Sequence, residues 1–435
     1  MSQYDRKANN STNYIHPNES NLWEVHKAME YNGLGQPTLR TQPNPTSVDA
    51  FGRLRTSNPY TIFDSSFRYG TNSLDWDTAT AGSGSTTHLL NESTVAMDVT
   101  TANGDSVIRE TKRVFLYQPG KSQLNINTFV FSPGKTGLRQ RVGLFTANNG
   151  IFVERDGETT YIVKRGYTTG SAVDTRIAQD DWNGDTLDGN GYSTVNLDWD
   201  NVQIMWCDIE WLGAGTVRVG FVVDGQFILA HSFHHANTIQ SVYMTTATLP
   251  LRCEITNTAE TASNSRLKHI CNTVISEGGY TPRAAPRAVS TPLTGRNLSN
   301  TGYTPVIALR LKSTQTDGIA IPVDADFYGL QNAAYRFEII TNVTLTGGTW
   351  LSVDAESHVE YNLTATGFTG GRSLIEGIFV GGAYGGATNI NFQQTNGSLQ
   401  LRRRIDNTPE VLLIAVQATT NNDDAVVSVA WAEHN

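Results

Sequence analysis

Along most of the chain, apolar and polar residues alternate with a period of two, the spacing that sends successive side chains to opposite faces of a strand. Between residues 48 and 281, QLNINTFVFS, TYIVKRGY, NVQIMWCDIEWLG, TVRVGFVVDGQFILAHSF and PLRCEITNT all carry it, separated by Gly- and Asn-rich turns. VRVGFVV and QFILAHSF are split by Asp224-Gly225, the clearest hairpin signal, because a two-residue Asp-Gly turn matches the twist of antiparallel strands. A second series follows residue 301: PVIALRLKS, YRFEIITNVTL, SLIEGIFVGG, SLQLRRRID, EVLLIAVQATT and AVVSVAWAEHN are candidate strands. Short strands at this spacing, almost without helical periodicity, predict an all-β chain of two antiparallel β-sandwich, jelly-roll-like domains. No repeat of fixed period and no sustained heptad marks a propeller or a coiled-coil shaft.

Two segments lack the pattern. Residues 1–47 are polar, Asn-rich and punctuated by proline, and cannot bury a core of their own. They predict an extended N-terminal arm that orders against a neighbouring polypeptide. Within it, SNLWEVHKAMEYNG predicts a short helix: Asn21 caps it, Glu24 stands at the third position, Leu22, Val25 and Met29 share a face, and Asn32-Gly33 stops it. Leu22, Trp23, Val25 and Met29 are therefore candidate contact residues. Residues 282–300, PRAAPRAVSTPLTGRNLSN, read as a linker. The expected organisation is an arm (1–47), a first sandwich (48–281), a linker (282–300) and an independently folding second sandwich (301–435).

Composition narrows the function. Only 17% of the 435 residues are charged, the net charge is -9, and no basic cluster is long enough to track a nucleic acid. Cys207, Cys253 and Cys271 show no ligand spacing and read as small buried side chains of a protein folded in a reducing cytoplasm. No apolar run approaches ~20 residues and the first residues lack a secretory layout, so neither a membrane nor secretion is expected.

Several blocks resemble, in the same order, a domain that recurs in structural proteins of tailed-bacteriophage virions. They are VDAFGRLRTSNPYTIFDSSFRYG, WNGDTLDGNGYS, DIEWLGAGTVRVGFVVDG and HSFHHAN, and the resemblance spans roughly residues 45–260. It implies a β-sandwich built into the particle, located in the virion after assembly in the host cytoplasm and bound to other virion proteins. Phe51, Arg53, Arg55, Phe67 and Arg68 lie in the first block, and mixed Arg and aromatic residues suit a contact core, so they join the interface candidates.

Four constellations bear on chemistry. In HSFHH, a continuous strand puts His231, Phe233 and His235 on one face and His234 on the other. The two same-face histidines then stand ~13 Å apart at ~3.3 Å per residue, too far to share a metal. Asp208 and Glu210 of DIEW alternate on one strand as a glycosidase pair would, but Leu212 and Gly213 occupy the positions of a further acid, so they read as a solvent-facing acidic stripe. Asp181, Asn183 and Asp185 begin like a calcium loop, yet Thr186 and Tyr192 replace the glycine and bidentate glutamate of an EF-hand. The run Arg402-Arg403-Arg404 reads as an exposed strand edge. Trp350, Phe368 and Tyr384, beside glycine-rich loops, are candidate contacts for host-surface carbohydrate.

No catalytic residue, cofactor or metal is expected. The expected function is a non-enzymatic virion component, favoured as a tail-apparatus element (fibre, collar or baseplate attached) that docks through its arm and forms a homo-oligomer, a trimer above others. A head-decoration or head-fibre protein is the alternative, and a carbohydrate-binding or carbohydrate-degrading tail protein the second.

Overall fold

The computed structural model describes residues 29–31, 37–39, 58–281, 283–382, 387–392 and 399–434. The chain divides into two compact units, Met1–Asn58 and Pro59–Asn435.

In the first unit, Met29–Tyr31 pairs antiparallel with Pro37–Leu39, Glu30 opposite Thr38. This corrects the short helix in its last turn, since Met29 belongs to a strand. The pairing with Pro37–Leu39 fixes Met29 as a strand residue. Leu22, Trp23, Val25, Phe51, Arg53 and Arg55 lie outside the described residues.

The second unit holds two β-sandwiches, all of whose strand pairs are antiparallel. In the first, a seven-stranded sheet runs in the order Val173–Ala178, Thr159–Gly166, Gly150–Asp156, Leu138–Phe145, Leu251–Asn257, Ser106–Thr111, Trp76–Ala81. An eight-stranded sheet faces it: Gln226–Phe233, Val217–Val223, Gln203–Ile209, Gln123–Val130, Ser265–Ser276, Thr94–Val99 and Ser85–Leu89 in order, with Tyr60–Ser66 also on Ser265–Ser276. Strands distant in sequence lie side by side, as in a jelly roll. Asp224 and Gly225 both take positive φ, 51° and 75°, and close the predicted hairpin with Val223 opposite Gln226.

One strand reverses the usual sense of its alternation. In Gln123–Val130 the polar Gln123, Asn125 and Asn127 point into the core beside Phe129, opposite Ile209, Cys207 and Met205. The two asparagines are satisfied inside: Asn125 donates to the Cys207 carbonyl (3.0 Å), Asn127 to Asn125 (3.0 Å) and Asn272 to Asn127 (2.7 Å). Leu124 and Ile126 therefore face outward.

The second sandwich stacks a five-stranded sheet built around Asp424–His434 and Ile319–Gly329 on a six-stranded sheet. The six run Leu351–Ser352, Val359–Asn362, Thr304–Leu311, Leu412–Ala418, Ala334–Thr346, Gly367–Val380. Two expectations are corrected here, and one strand is added. Ala285–Ser290 and Arg296–Asn297, inside the expected linker, are strands paired with Asp424–His434, so a fragment beginning at residue 301 would lack part of the sheet. Their Pro and Ser residues are tolerated because Ala285–Ser290 lies at the sheet edge. SLQLRRRID is not a strand; its described part makes one isolated bridge, Arg403 to Pro409. Ile319–Gly329 is a strand despite Pro322, where a register shift between Pro322 and Asp324 absorbs the missing donor.

Candidate functional site

The seven-stranded sheet turns a charged layer away from its core. Cross-strand register sets Arg252 opposite Glu110, and Arg141 opposite both Glu154 and Glu254. Ion pairs then run in sequence from Asp156 to Arg176 (2.8 Å), Glu154 (2.6 Å), Arg141 (2.5 Å), Glu254 (3.3 Å), Arg252 (2.5 Å), Glu110 (2.5 Å) and Arg403 (2.8 Å). Arg141 and Arg165 lie over the Phe152 ring and Arg252 over Phe145, so the guanidinium stems rest on an apolar patch. Burial alone would raise the Glu254 carboxyl, but Arg252 and Arg141 hold it below its ordinary value.

Arg403 carries this chain into the second sandwich. Around it Lys112 pairs with Glu410 (2.7 Å), the Arg403 amide donates to the Lys112 carbonyl (3.1 Å), Arg402 donates to the Leu74 carbonyl (2.5 Å), and the Ile405 amide donates to Asp77 (3.0 Å). The arginine run is thus not an exposed edge: Arg402 and Arg403 are buried in the junction and only Arg404 is exposed. Sequence period cannot show this, because the run lies in an irregular segment whose partners are some 300 residues away.

The histidine cluster is structural in its bonding. His231 accepts from the Asn183 amide (3.2 Å), and Asn183 brackets Ser232 through both side-chain atoms, so the Asp-Asn loop is laced to the strand. Burial lowers the His231 imidazole to about 4. The strand ends at Phe233, and His235 leaves it to stack on Tyr243 with ring centres 3.9 Å apart, donating to the Gly215 carbonyl (2.6 Å) and accepting from Lys164 (2.9 Å). Asp185 is buried and spends its oxygens on the Leu187 and Ser193 amides (2.8 and 2.6 Å). Among the described residues no group of three or more His, Cys, Asp or Glu is placed to hold a metal ion.

Asp208 does not face solvent as an acidic stripe. It is buried, ion-paired with Arg218 and hydrogen-bonded by Ser122, whereas Glu210 is exposed and accepts from the Thr216 amide (3.2 Å). The carboxyl Asp208 meets is Glu277, which shares Ser122; burial, then the Asp208 charge, raises Glu277 above its ordinary value. Sequence spacing missed this pair because its members come from different strand ends.

No family model matches the chain, and no curated protein sequence matches it. Solved structures are similar to parts of it. The carbohydrate recognition domain of Emp47p matches at TM-score 0.32 and 9% identity, over 54% of this chain and 99% of that one. The CBM2 module of the evolved Dit of Lactobacillus casei BL23 phage J-1 matches at 0.34 and 6%, over 52% and 100%. A carbohydrate esterase from Shiga toxin-encoding bacteriophage phi24B matches at 0.29 and 9%, over 51% and 100%. At such scores the likeness says nothing of what this chain binds.

The remaining predicted residues fall in different places. Phe67, expected at an interface, is a core residue packed edge-on against Trp76 and His269. The strand alternation that buries Phe63 and Ser65 carries Phe67 inward with them. Arg68 is exposed beside Tyr69. Trp350 and Phe368 are half-buried in one cluster with Tyr303 and Leu345 on the outer face of the six-stranded sheet, and Arg310 covers a Trp350 face at 4.1 Å while paired to Glu360 (2.8 Å). Tyr384 lies outside the described residues. Cys207 and Cys253 are buried and Cys271 half-buried, and all three are free thiols. Among the described residues no helix is long and apolar enough to cross a membrane.

The outward face of the eight-stranded sheet carries an apolar patch beside the Asp208–Arg218 pair, a surface the sequence did not single out. Leu124 and Ile126 lie in cross-strand rows with Ile275 and with Trp206. Ile204, Phe227 and Val202 continue the face, and Phe227 is 58% exposed with its ring against Trp206 (5.8 Å).

Proposed function

We propose that the chain is a non-enzymatic structural component of a bacteriophage virion, a tail-apparatus element that docks through residues 1–47 and assembles as a homotrimer. The observation that carries this reading is the outward apolar patch of the eight-stranded sheet, where Val202, Ile204 and Phe227 are exposed around Leu124 and Ile126. An exposed apolar patch gains by leaving water, so it suits a subunit contact. The sequence blocks between residues 45 and 260 supply the virion context. The ion-paired junction supports a structural role as well, because it joins the sandwiches through buried charges instead of a free linker.

The carbohydrate-degrading alternative fares less well, since Asp208 is neutralised by Arg218 and Glu210 points to solvent. Purified protein incubated with host-surface polysaccharide is expected to release no reducing ends. Release that disappears in Glu210→Gln or Glu277→Gln would replace the structural reading with a glycosidase.

A further inference from the structure

Where the two sandwiches meet lies a half-open cavity of 410 Å³ lined by residues of both, among them Trp76, Thr78, Arg109 and Lys112 from the first and Asn342 and Arg372 from the second. It adjoins a wider recess of 760 Å³ through shared walls at Thr71, Ser73, Leu74 and Arg372, with Arg68 on the recess's far lining. In a chain of net charge -9, these linings carry Arg68, Arg109, Lys112 and Arg372 against one carboxylate, Asp77. Asp77 is already engaged by the Ile405 amide and Lys112 by Glu410, which leaves three arginines in surplus.

Arg109 is the unusual one. It is 1% exposed, and among the described residues no carboxylate lies within ion-pairing distance of it. It donates to the Thr78 hydroxyl (3.2 Å) and the Thr71 carbonyl (2.9 Å) and rests over Phe67 and Trp76, but its Nε has no partner. Burial holds the guanidinium down at about 10, so it is still a cation at neutral pH. A buried cation without a counter-charge is destabilising, and a bound anion relieves that.

Arg372 is brought to the same cavity by the glycine pair of FTGGRS. Gly370 and Gly371 take φ of 68° and 93° in the middle of Gly367–Val380, with Asn342 at 59° on the strand opposite. A Cβ on Gly371 would stand 2.5 Å from Val343 Cγ1 and 2.7 Å from Ile340 Cγ2, so only glycine permits the kink. Arg372 itself is exposed, and among the described residues neither it nor Arg68 has an ion-pair partner.

We propose that the junction cavity is a binding site for an oxyanion, a carboxylate, sulfate or phosphate group, held between Arg109 and Arg372 with hydroxyl and amide donors from Thr78 and Asn342. Forked guanidinium donors match the geometry of such groups. The adjoining recess has the volume of a small-ligand site, so the anion can be free or carried on an acidic sugar. The site stands apart from the virion reading and does not depend on it.

Titration calorimetry on the full chain, at constant ionic strength, tests this with inorganic sulfate and with glucuronic acid, using chloride and glucose as controls. Sulfate strengthens apolar burial in any protein, so direct heats of binding and the comparison with a variant decide the result. Saturable one-site binding of sulfate or glucuronate is expected, weakened about tenfold or more in Arg372→Gln, equal to ~1.4 kcal/mol. Binding of glucuronate alone would identify the acidic sugar as the ligand, and binding of both would show that the oxyanion suffices; either supports the site. Absence of saturable binding by both anions, or equal affinity in Arg372→Gln, would overturn it.

Discussion

Glu110→Ala is expected to destabilise the protein by ~3–5 kcal/mol, because it strands the buried Arg403 and removes one of the two carboxylates that hold Arg252. Glu110 meets Arg252 through one oxygen and Arg403 through the other, at 2.5 and 2.8 Å, and all three side chains are buried. One of those arginines belongs to each sandwich, so the loss falls on the junction as well as on the sheet. Asp98→Ala provides the contrast: its pair with Arg266 (2.6 Å) lies at the surface, where such pairs contribute ~0–1 kcal/mol. Chemical denaturation of both variants measures the difference. A cost for Glu110→Ala no larger than that for Asp98→Ala would mean that Arg252 and Arg403 find other partners and that the junction is not held by this chain of charges.

Stability is also expected to fall steeply as the pH drops from about 6.5 towards 4, before ordinary carboxylates titrate. His269 is buried with its ring edge-on to Phe67 and Trp76, is hydrogen-bonded to Asn272, and is pushed down to about 3 by burial and then by the nearby Arg109 charge. His231 is lowered to about 4 by burial. Both folded values lie below the ordinary 6.5, so the unfolded chain binds the proton more readily. The neutral forms stabilise the fold fully above about 6.5, and that contribution drains away as pH falls towards the folded values. Each histidine gives a slope of ~1.4 kcal/mol per pH unit within its window. Unfolding free energies measured at pH 7, 6 and 5 should show the decline, and His269→Gln should flatten it by one histidine's share. A flat profile in the parent protein would contradict the burial of these imidazoles.

How far the sequence reveals this depends on whether the deciding contact is local. Asp224-Gly225 specifies its hairpin from two residues and the twist of the strands, and the period-two pattern gives the all-β class from the alternation alone. Periodicity, however, fixes which residues share a face without fixing which face is buried. In Gln123–Val130 the asparagines go inward because Cys207, Asn272 and one another satisfy them there, and the outward apolar surface follows from that inversion. Met29 and residues 282–300 depart from expectation for a related reason. A Pro- or Asn-rich segment has weak intrinsic preference, and its state is set by the strand it meets, Pro37–Leu39 in one case and Asp424–His434 in the other. Distance hides the rest: Arg403 finds Glu110, Glu277 finds Asp208, and Arg372 reaches the cavity of Arg109 only through the folded junction.

The virion reading meets its most direct test in particles assembled from full-length chain and from chain lacking residues 1–47, each imaged to locate the protein. Full-length chain is expected in symmetric copies on the tail, with residues 1–47 against a different polypeptide and Ile204 and Phe227 covered by a neighbouring copy. The shortened chain is expected to fold yet stay out of the particle. Particles that lack the full-length chain, or that take up the shortened chain normally, would contradict the account.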